Sequence, residues 1–298
     1  MTSAISAGGS KKVEMDKASF QFNFFKSEES EMESEAASGI SERKELDSFE
    51  WIVPVETIEK IKTTADLESE QVLCLFKRKY SSILHDLKGS SESELTKITE
   101  DSDVIPNQYE GGLKTWECSI DLLHFLTEEH GPVASRVLEI GCGSGLPGIF
   151  CYNQFIQSNS LADRLFVFQD FNQNVLETVT LPNILLNAPD ANLDHLKFIY
   201  GDWNGLIRKL PKKSFDLILT SETIYRTESY EILLKIFSHS LKTAPEARIL
   251  LAAKDYYFGL GGSVNQFINV AVAKGWNVQV LKHFTEGVPR SILQLKRQ

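Results

Sequence analysis

The 298-residue chain is poor in sulfur, with 4 Cys and 3 Met. Cys74, Cys118, Cys142 and Cys151 show no CxxC or Cys/His ligand spacing. That argues against a structural zinc site or a disulfide scaffold, so reduced thiols and no metal are expected. No apolar run approaches the roughly 18 residues needed to cross a bilayer, and the N-terminus lacks the apolar core of a signal peptide. A soluble intracellular protein is expected. Positive charge is also in short supply: 31 Lys+Arg face 41 Asp+Glu, a net charge of −10. This balance argues against broad electrostatic binding of nucleic acid. No internal repeat is present.

The acidity is unevenly placed. Residues 1–105 hold 13 basic and 22 acidic residues, leaving 18 and 19 for the remainder. Residues 1–50 are rich in Ser, Glu and Gly and bury too little apolar surface to offset chain entropy, so a disordered acidic tail is expected there. Within it FQFNFF (20–25) is an aromatic patch, a candidate anchor onto a partner or onto the domain itself. Residues 51–105 read as an ordered N-terminal appendage followed by a polar linker at 89–103. Residues 106–298 read as the main domain.

That domain is organised around RVLEIGCGSGLPGIF (136–150). Val137, Leu138 and Ile140 form the short apolar run of a strand buried on both faces. Gly141, Gly143 and Gly145 then allow a tight turn and close approach of a ligand, and Pro147 suits the first turn of a helix. Two cofactors fit such a turn. Gly143, Gly145 and Gly148 match the dinucleotide spacing, with Asp170 near the distance of a ribose-binding acid. Glu139 followed by GCGSG instead resembles motif I of the seven-strand S-adenosylmethionine-dependent methyltransferases.

Strands are expected at 165–169, 196–200, 215–220, 248–253, 276–282 and 291–295, with helices around Val175 and at 230–241 and 264–273. The pattern predicts an α/β fold, a doubly wound, Rossmann-like sheet of seven strands. Only residues 283–290 separate the last two strands, too few for a helical crossover, so these pair as an antiparallel C-terminal hairpin. A methyltransferase sheet ends in this way, whereas a dinucleotide fold ordinarily continues parallel.

Ligands of open α/β sheets bind at the carboxyl ends of the strands. Gly141, Gly143 and Gly145 follow the first strand. Gln169, Asp170 and Phe171 end the second, where a carboxylate can bind ribose hydroxyls; Asp170 also suits a helix N-cap. Gly201, Asp202 and Trp203 end the third, offering an acceptor and an aromatic face for a purine. Ser221, Glu222 and Tyr225 follow the fourth, where a methyl acceptor would enter. Asp255 and Tyr257 lie in a glycine-rich loop after the fifth. Ahead of the first strand, residues 109–126 enter a helix through Gly111, Gly112 and Trp116, either as plain core or folded over the cofactor together with Glu117 and Cys118.

YEGGLKTWECSIDLL (109–123), EIGCGSGLPGI, QDFNQNVLETVTLPN, LILTSETIY, AKDYYFGLGG and FQFNF together resemble the eukaryotic protein-histidine N-methyltransferase family. The resemblance runs from about residue 106 to the C-terminus. It implies S-adenosyl-L-methionine as cofactor and a histidine of a large-subunit ribosomal protein as acceptor; a monomer is expected, in the cytoplasm and nucleus, where thiols stay reduced. Neither membrane nor direct nucleic-acid binding is expected. Glu222, Tyr225, Asp255 and Tyr257 are the candidate catalytic residues. The cofactor candidates are Trp116, Glu117, Cys118, Glu139, Gly141, Gly143, Gly145, Gln169, Asp170, Phe171, Gly201, Asp202, Trp203 and Ser221. A protein-lysine methyltransferase of the same fold and a non-catalytic ribosome-assembly adaptor are the rival readings.

Overall fold

The computed structural model describes residues 47–63, 68–88, 104–105, 108–129, 133–158 and 163–298. The aromatic patch at 20–25, the acidic tail up to residue 46 and the linker at 89–103 lie outside the described residues. At the centre, β4 (Arg136–Ile140), β5 (Leu165–Asp170), β6 (Leu196–Gly201), β7 (Leu217–Ser221) and β8 (Arg248–Lys254) run parallel in the order β6-β5-β4-β7-β8. Strand periodicity divides the side chains between two cores. Val137, Phe166, Phe168, Leu219 and Leu250 enter one face. Leu138, Ile140, Val167, Ile218 and Leu251 enter the other.

The first face is covered by α3 (Glu117–Glu128), α4 (Leu146–Gln157) and α5, which runs from Gln173–Val175 through Leu176–Thr180 to Leu181–Asn187. The second is covered by α6 (Trp203–Lys209), α7 (Tyr230–Ser240) and α8 (Val264–Ala273). At the far edge β9 (Trp276–Phe284) and β10 (Arg290–Arg297) form the expected antiparallel hairpin, with β10 inserted between β8 and β9. The reversal of order between β4 and β7 opens a crevice at the carboxyl ends of the strands.

The sheet has eight strands rather than seven. The additional one, β1 (Ser48–Trp51), lies antiparallel to β6. Gly201 makes this possible: a Cβ there would sit 2.3 Å from the Asp47 carbonyl oxygen. Ser48 Oγ donates to Asp202 O at 2.5 Å, and Trp51 packs edge-on against Phe198. The sequence boundary at residue 50 thus falls inside a strand. The four-residue segment has no alternating pattern long enough to announce it.

After α1 (Val55–Thr63), the segments β2 (Ser69–Val72) and β3 (Leu75–Arg78) form a small hairpin, followed by α2 (Tyr80–Lys88). The hairpin is bonded to α5. Asn187 Nδ2 donates to Phe76 O at 2.7 Å and its Oδ1 accepts from Phe76 N at 2.8 Å. One helical turn earlier, Asn183 Oδ1 accepts from Arg78 N at 2.8 Å.

The middle of α5 is a π turn at Leu176–Thr180. Pro182 has no N–H to offer Thr178 O four residues back. The Arg78 guanidinium supplies the missing donor, Nη1 to Thr178 O at 2.7 Å. Arg78→Ala should therefore leave a carbonyl without a partner and cost about 1–3 kcal/mol. Urea unfolding would measure this, and Arg78→Lys should recover part of the loss.

Candidate active site

A cavity of about 400 Å³ lies over the carboxyl ends of β4, β5, β6 and β7, within the range of small-molecule sites. Eleven of the residues chosen from sequence line it: Trp116, Gly141, Gly143, Asp170, Phe171, Asp202, Trp203, Ser221, Glu222, Tyr225 and Tyr257.

Its floor is the glycine turn. Gly141, Gly143 and Gly145 take φ values of 60°, 49° and 69°, the left-handed region that side chains disfavour. Gly143 N donates to Asp170 Oδ2 at 2.9 Å, while Asp170 Oδ1 accepts from Asn172 N at 3.1 Å. Asp170 is buried, and burial pushes its carboxyl up to about 6, against the opposing pull of these backbone N–H groups. Residues 108–116 pass directly over the turn. A Cβ on Gly143 would lie 3.3 Å from Gly112 Cα, and one on Gly112 would meet Val175 at 2.9 Å and Asp170 Oδ2 at 3.3 Å. The segment before α3 thus folds across the floor.

Other sequence candidates act behind the cavity lining. Gln169 Oε1 accepts from Gly141 N at 3.2 Å and from Trp203 Nε1 at 3.0 Å, and its Nε2 donates to Gly201 O at 3.1 Å. One buried amide therefore ties three strand ends together and fixes the Trp203 indole. Glu139 Oε2 accepts from Gly148 N at 2.9 Å. A Cβ on Gly148 would sit 2.5 Å from that oxygen, which gives the third glycine of the fingerprint a role in admitting a carboxylate. Burial raises the Glu139 carboxyl to about 8. Gly145 is the N-cap of α4.

Asp202 lines the cavity, and its Oδ1 also caps α6 by accepting from Asn204 N at 2.8 Å. Glu117 points toward Arg290, 3.5 Å away. Asp255 is removed from the cavity lining: it accepts from Ser291 Oγ at 2.6 Å and lies 2.8 Å from His283 Nε2. The hairpin that brings Ser291 and His283 beside it spans positions 28 and 36 residues further along the chain.

At the fourth strand end Glu222 has φ 56°, a strained left-handed conformation for a non-glycine residue. Its side chain is 8% exposed. Oε2 accepts from Tyr257 Oη at 2.6 Å, Lys254 Nζ stands 3.8 Å from Oε1, and Oε1 itself has no hydrogen-bond partner. Burial raises the Glu222 carboxyl, against the lowering effect of the Lys254 ammonium and of the Tyr257 hydrogen bond. Cys118 is buried beside this carboxylate.

Glu110 went unnoticed in the sequence. It accepts from Tyr225 Oη and from Arg226 Nη1, the latter at 3.2 Å, and so joins the overlying segment to the acceptor side. Its partners are 115 and 116 residues away, and no local pattern signals that pairing.

A family profile described as lysine methyltransferase matches residues 97–259. Histidine protein methyltransferase 1 of Schizosaccharomyces pombe is 32% identical over 247 residues, covering 70% of this chain and 71% of that protein. The chain belongs to this methyltransferase family. The histidine protein methyltransferase 1 homolog of Dictyostelium discoideum is 42% identical over 172 residues, covering 57% of this chain and 52% of the relative. That of Mus musculus is 35% identical over 221 residues, covering 65% and 59%. The chain thus spans little more than half the length of these two curated relatives.

The methyltransferase cofactor is S-adenosylmethionine, and the cavity fits it. The floor is a bare backbone turn, a buried carboxylate flanks it, and an indole is locked at its rim. Asp170 would hold the ribose, Trp203 the adenine, and the glycine turn the amino-acid end.

Two outcomes are expected. Asp170→Ala should weaken binding of S-adenosylhomocysteine by roughly 10–100-fold, since a hydrogen bond to a carboxylate contributes about 1.5–3 kcal/mol. In the wild type, titration calorimetry should show affinity falling as the pH drops below about 6, where Asp170 takes up a proton. Glu139 should act on folding. Its native pKa of about 8 lies above the ordinary glutamate value of 4.5, so folding takes up a proton between these limits. Stability is then lost as pH rises through that window. Glu139→Gln should remove the dependence, its advantage over wild type growing from pH 5 to pH 9 in urea unfolding.

Proposed function

We propose that the protein transfers a methyl group from S-adenosylmethionine to an imidazole nitrogen of a protein histidine. The observation that carries this reading is Glu222, a buried carboxylate at the acceptor end of the cavity with one oxygen lacking a hydrogen-bond partner. The names of the relatives in the same family support histidine as the acceptor.

S-adenosylmethionine supplies an electrophilic methyl group carried on a sulfonium. An imidazole with an unperturbed pKa of about 6.5 is mostly neutral near pH 7 and already presents a lone pair. No strong base is needed to expose it. The protein's work is alignment: the glycine turn and the segment over it fix one partner, and the Glu222 carboxylate accepts the N–H of the non-reacting ring nitrogen. That hydrogen bond selects the tautomer and stabilises the positive charge that the ring acquires as the new N–C bond forms. The ring N–H proton then leaves toward Glu222. Tyr257, bonded to the other carboxylate oxygen, holds Glu222 in place. Orientation of this kind is worth about 7–11 kcal/mol of a barrier.

The acceptor is proposed to be a large-subunit ribosomal protein, methylated in the cytoplasm or nucleus by a monomeric enzyme. Incubation with labelled S-adenosylmethionine and ribosomal protein extract, followed by amino-acid analysis, tests both parts. Label is expected in methylhistidine, reduced roughly 10–100-fold with Asp170→Ala at sub-saturating cofactor and by about 10²-fold or more with Glu222→Gln, while Glu222→Gln still binds cofactor. Label in methyllysine would replace histidine with lysine as the acceptor. Binding of cofactor with no transfer would favour the adaptor.

A further inference from the structure

We propose that Lys254 sets the acceptor pocket for a neutral ring: as the resident counter-ion of Glu222, it keeps that carboxylate available to an imidazole N–H and withholds it from a cationic side chain. The inference rests on the histidine reading and adds a specificity-determining residue to it.

Lys254 ends β8, and its side chain is 8% exposed, as deeply buried as that of Glu222. Its Nζ stands 3.8 Å from Glu222 Oε1 and 4.9 Å from the centroid of the Trp116 ring. Glu222 and Trp116 both line the cavity. The ammonium is therefore held behind two walls of the acceptor pocket by a carboxylate and an aromatic face, the two groups that commonly bind cations.

A substrate lysine entering this pocket would find both occupied. Its own ammonium would come within a few ångströms of a like charge in a poorly hydrated site, where Coulomb repulsion is weakly screened. A neutral imidazole meets no such barrier. It needs one acceptor lone pair, which the Glu222 carboxylate can offer because Lys254 stands beyond normal hydrogen-bond distance. Tyr257 occupies only Oε2.

The other groups facing Glu222 do not duplicate Lys254. Tyr257 is a neutral donor and Cys118 a neutral thiol, the ionisation of each suppressed by burial and by the carboxylate itself, and Glu117 is a like charge. Lys254 is the cation among the groups acting on this carboxylate, and it opposes the rise that burial imposes. Removing it should extend protonation of Glu222 to higher pH and leave a carboxylate that attracts cations when ionised.

The test uses the full chain loaded with S-adenosylhomocysteine. Binding of imidazole and of n-butylamine is measured by NMR at pH 8, where the first is mostly neutral and the second cationic. Wild type should bind imidazole at least 10-fold more tightly than n-butylamine. Lys254→Met should narrow or reverse that ratio by at least 10-fold, and Lys254→Arg should keep it. In extract labelling, Lys254→Met should shift the acid limb of methylhistidine formation to higher pH, and label should begin to appear in methyllysine.

If Lys254→Met fails to take up S-adenosylhomocysteine, the double variant Glu222→Gln/Lys254→Met, which removes both charges of the buried pair, replaces it. That variant should lose the imidazole preference without gaining affinity for n-butylamine. An unchanged ligand ratio in Lys254→Met or in the double variant would overturn the inference while leaving histidine transfer intact, as would equal damage from Arg and Met. Wild type that labels lysine, or labels nothing, would overturn the histidine reading and the inference with it.

Discussion

The architecture of the site depends on how closely two backbones approach one buried carboxylate. Asp170 receives the Gly143 N–H, and Gly112 passes over both. Side chains at positions 112 or 143 would part these layers. The same carboxylate accepts from the N–H of Asn172, the N-cap residue of α5, and Asn172 in turn accepts from Glu110 N through its side chain. Glu110 then reaches Tyr225 and Arg226 on the far side of the cavity. A continuous path of hydrogen bonds therefore leads from the cofactor floor, through the overlying segment, to the acceptor wall. The electrostatic cost of burying Asp170 shows in its raised pKa, and a functional site is where such a cost is tolerated.

Much of this was legible in the sequence because it is local. The strand–glycine–helix stretch, the acid ending the next strand, and the short loop between the last two strands each state their geometry within ten residues or so. What was hidden is what the chain assembles from afar. Glu110 pairs with residues more than a hundred positions away, and Asp255 is drawn out of the cavity by the C-terminal hairpin. Gln169 and Glu139 stand at cofactor positions in the sequence, yet their side chains bond the scaffold that shapes its floor. Strand ends expose side chains alternately to the site and to the layer beneath, and sequence alone did not say which phase each residue would take. The four residues of β1 carried too little pattern to reveal an eighth strand.

The acceptor wall shows a different economy from the cofactor floor. Its charges are balanced within the protein, Glu222 by Lys254, with an aromatic face beside them. The carboxylate lies in a left-handed backbone position, and strain of that kind persists where surrounding contacts over-determine it. Here the Glu222 N–H donates to Ala252 O, while Tyr257 fixes the side chain from the loop after β8. Two adjoining elements, β8 and the loop after it, thus set the direction of one carboxylate.

The π turn in α5 has a consequence for how the molecule is assembled. Pro182 leaves Thr178 O needing a donor that its own helix cannot supply, and the donor comes from Arg78, a hundred residues earlier. During synthesis the β2–β3 hairpin emerges well before the helix it will complete, and at a few to some twenty residues per second the interval is measured in seconds. A contact of such long sequence separation closes late, after the loop-closure entropy has been met by other contacts. Thr180 and Asn183 on the same helix hold the carbonyls of Gly143 and Ser144. The cofactor floor would therefore be among the last parts of the chain to become rigid, its completion waiting on a segment made long before it.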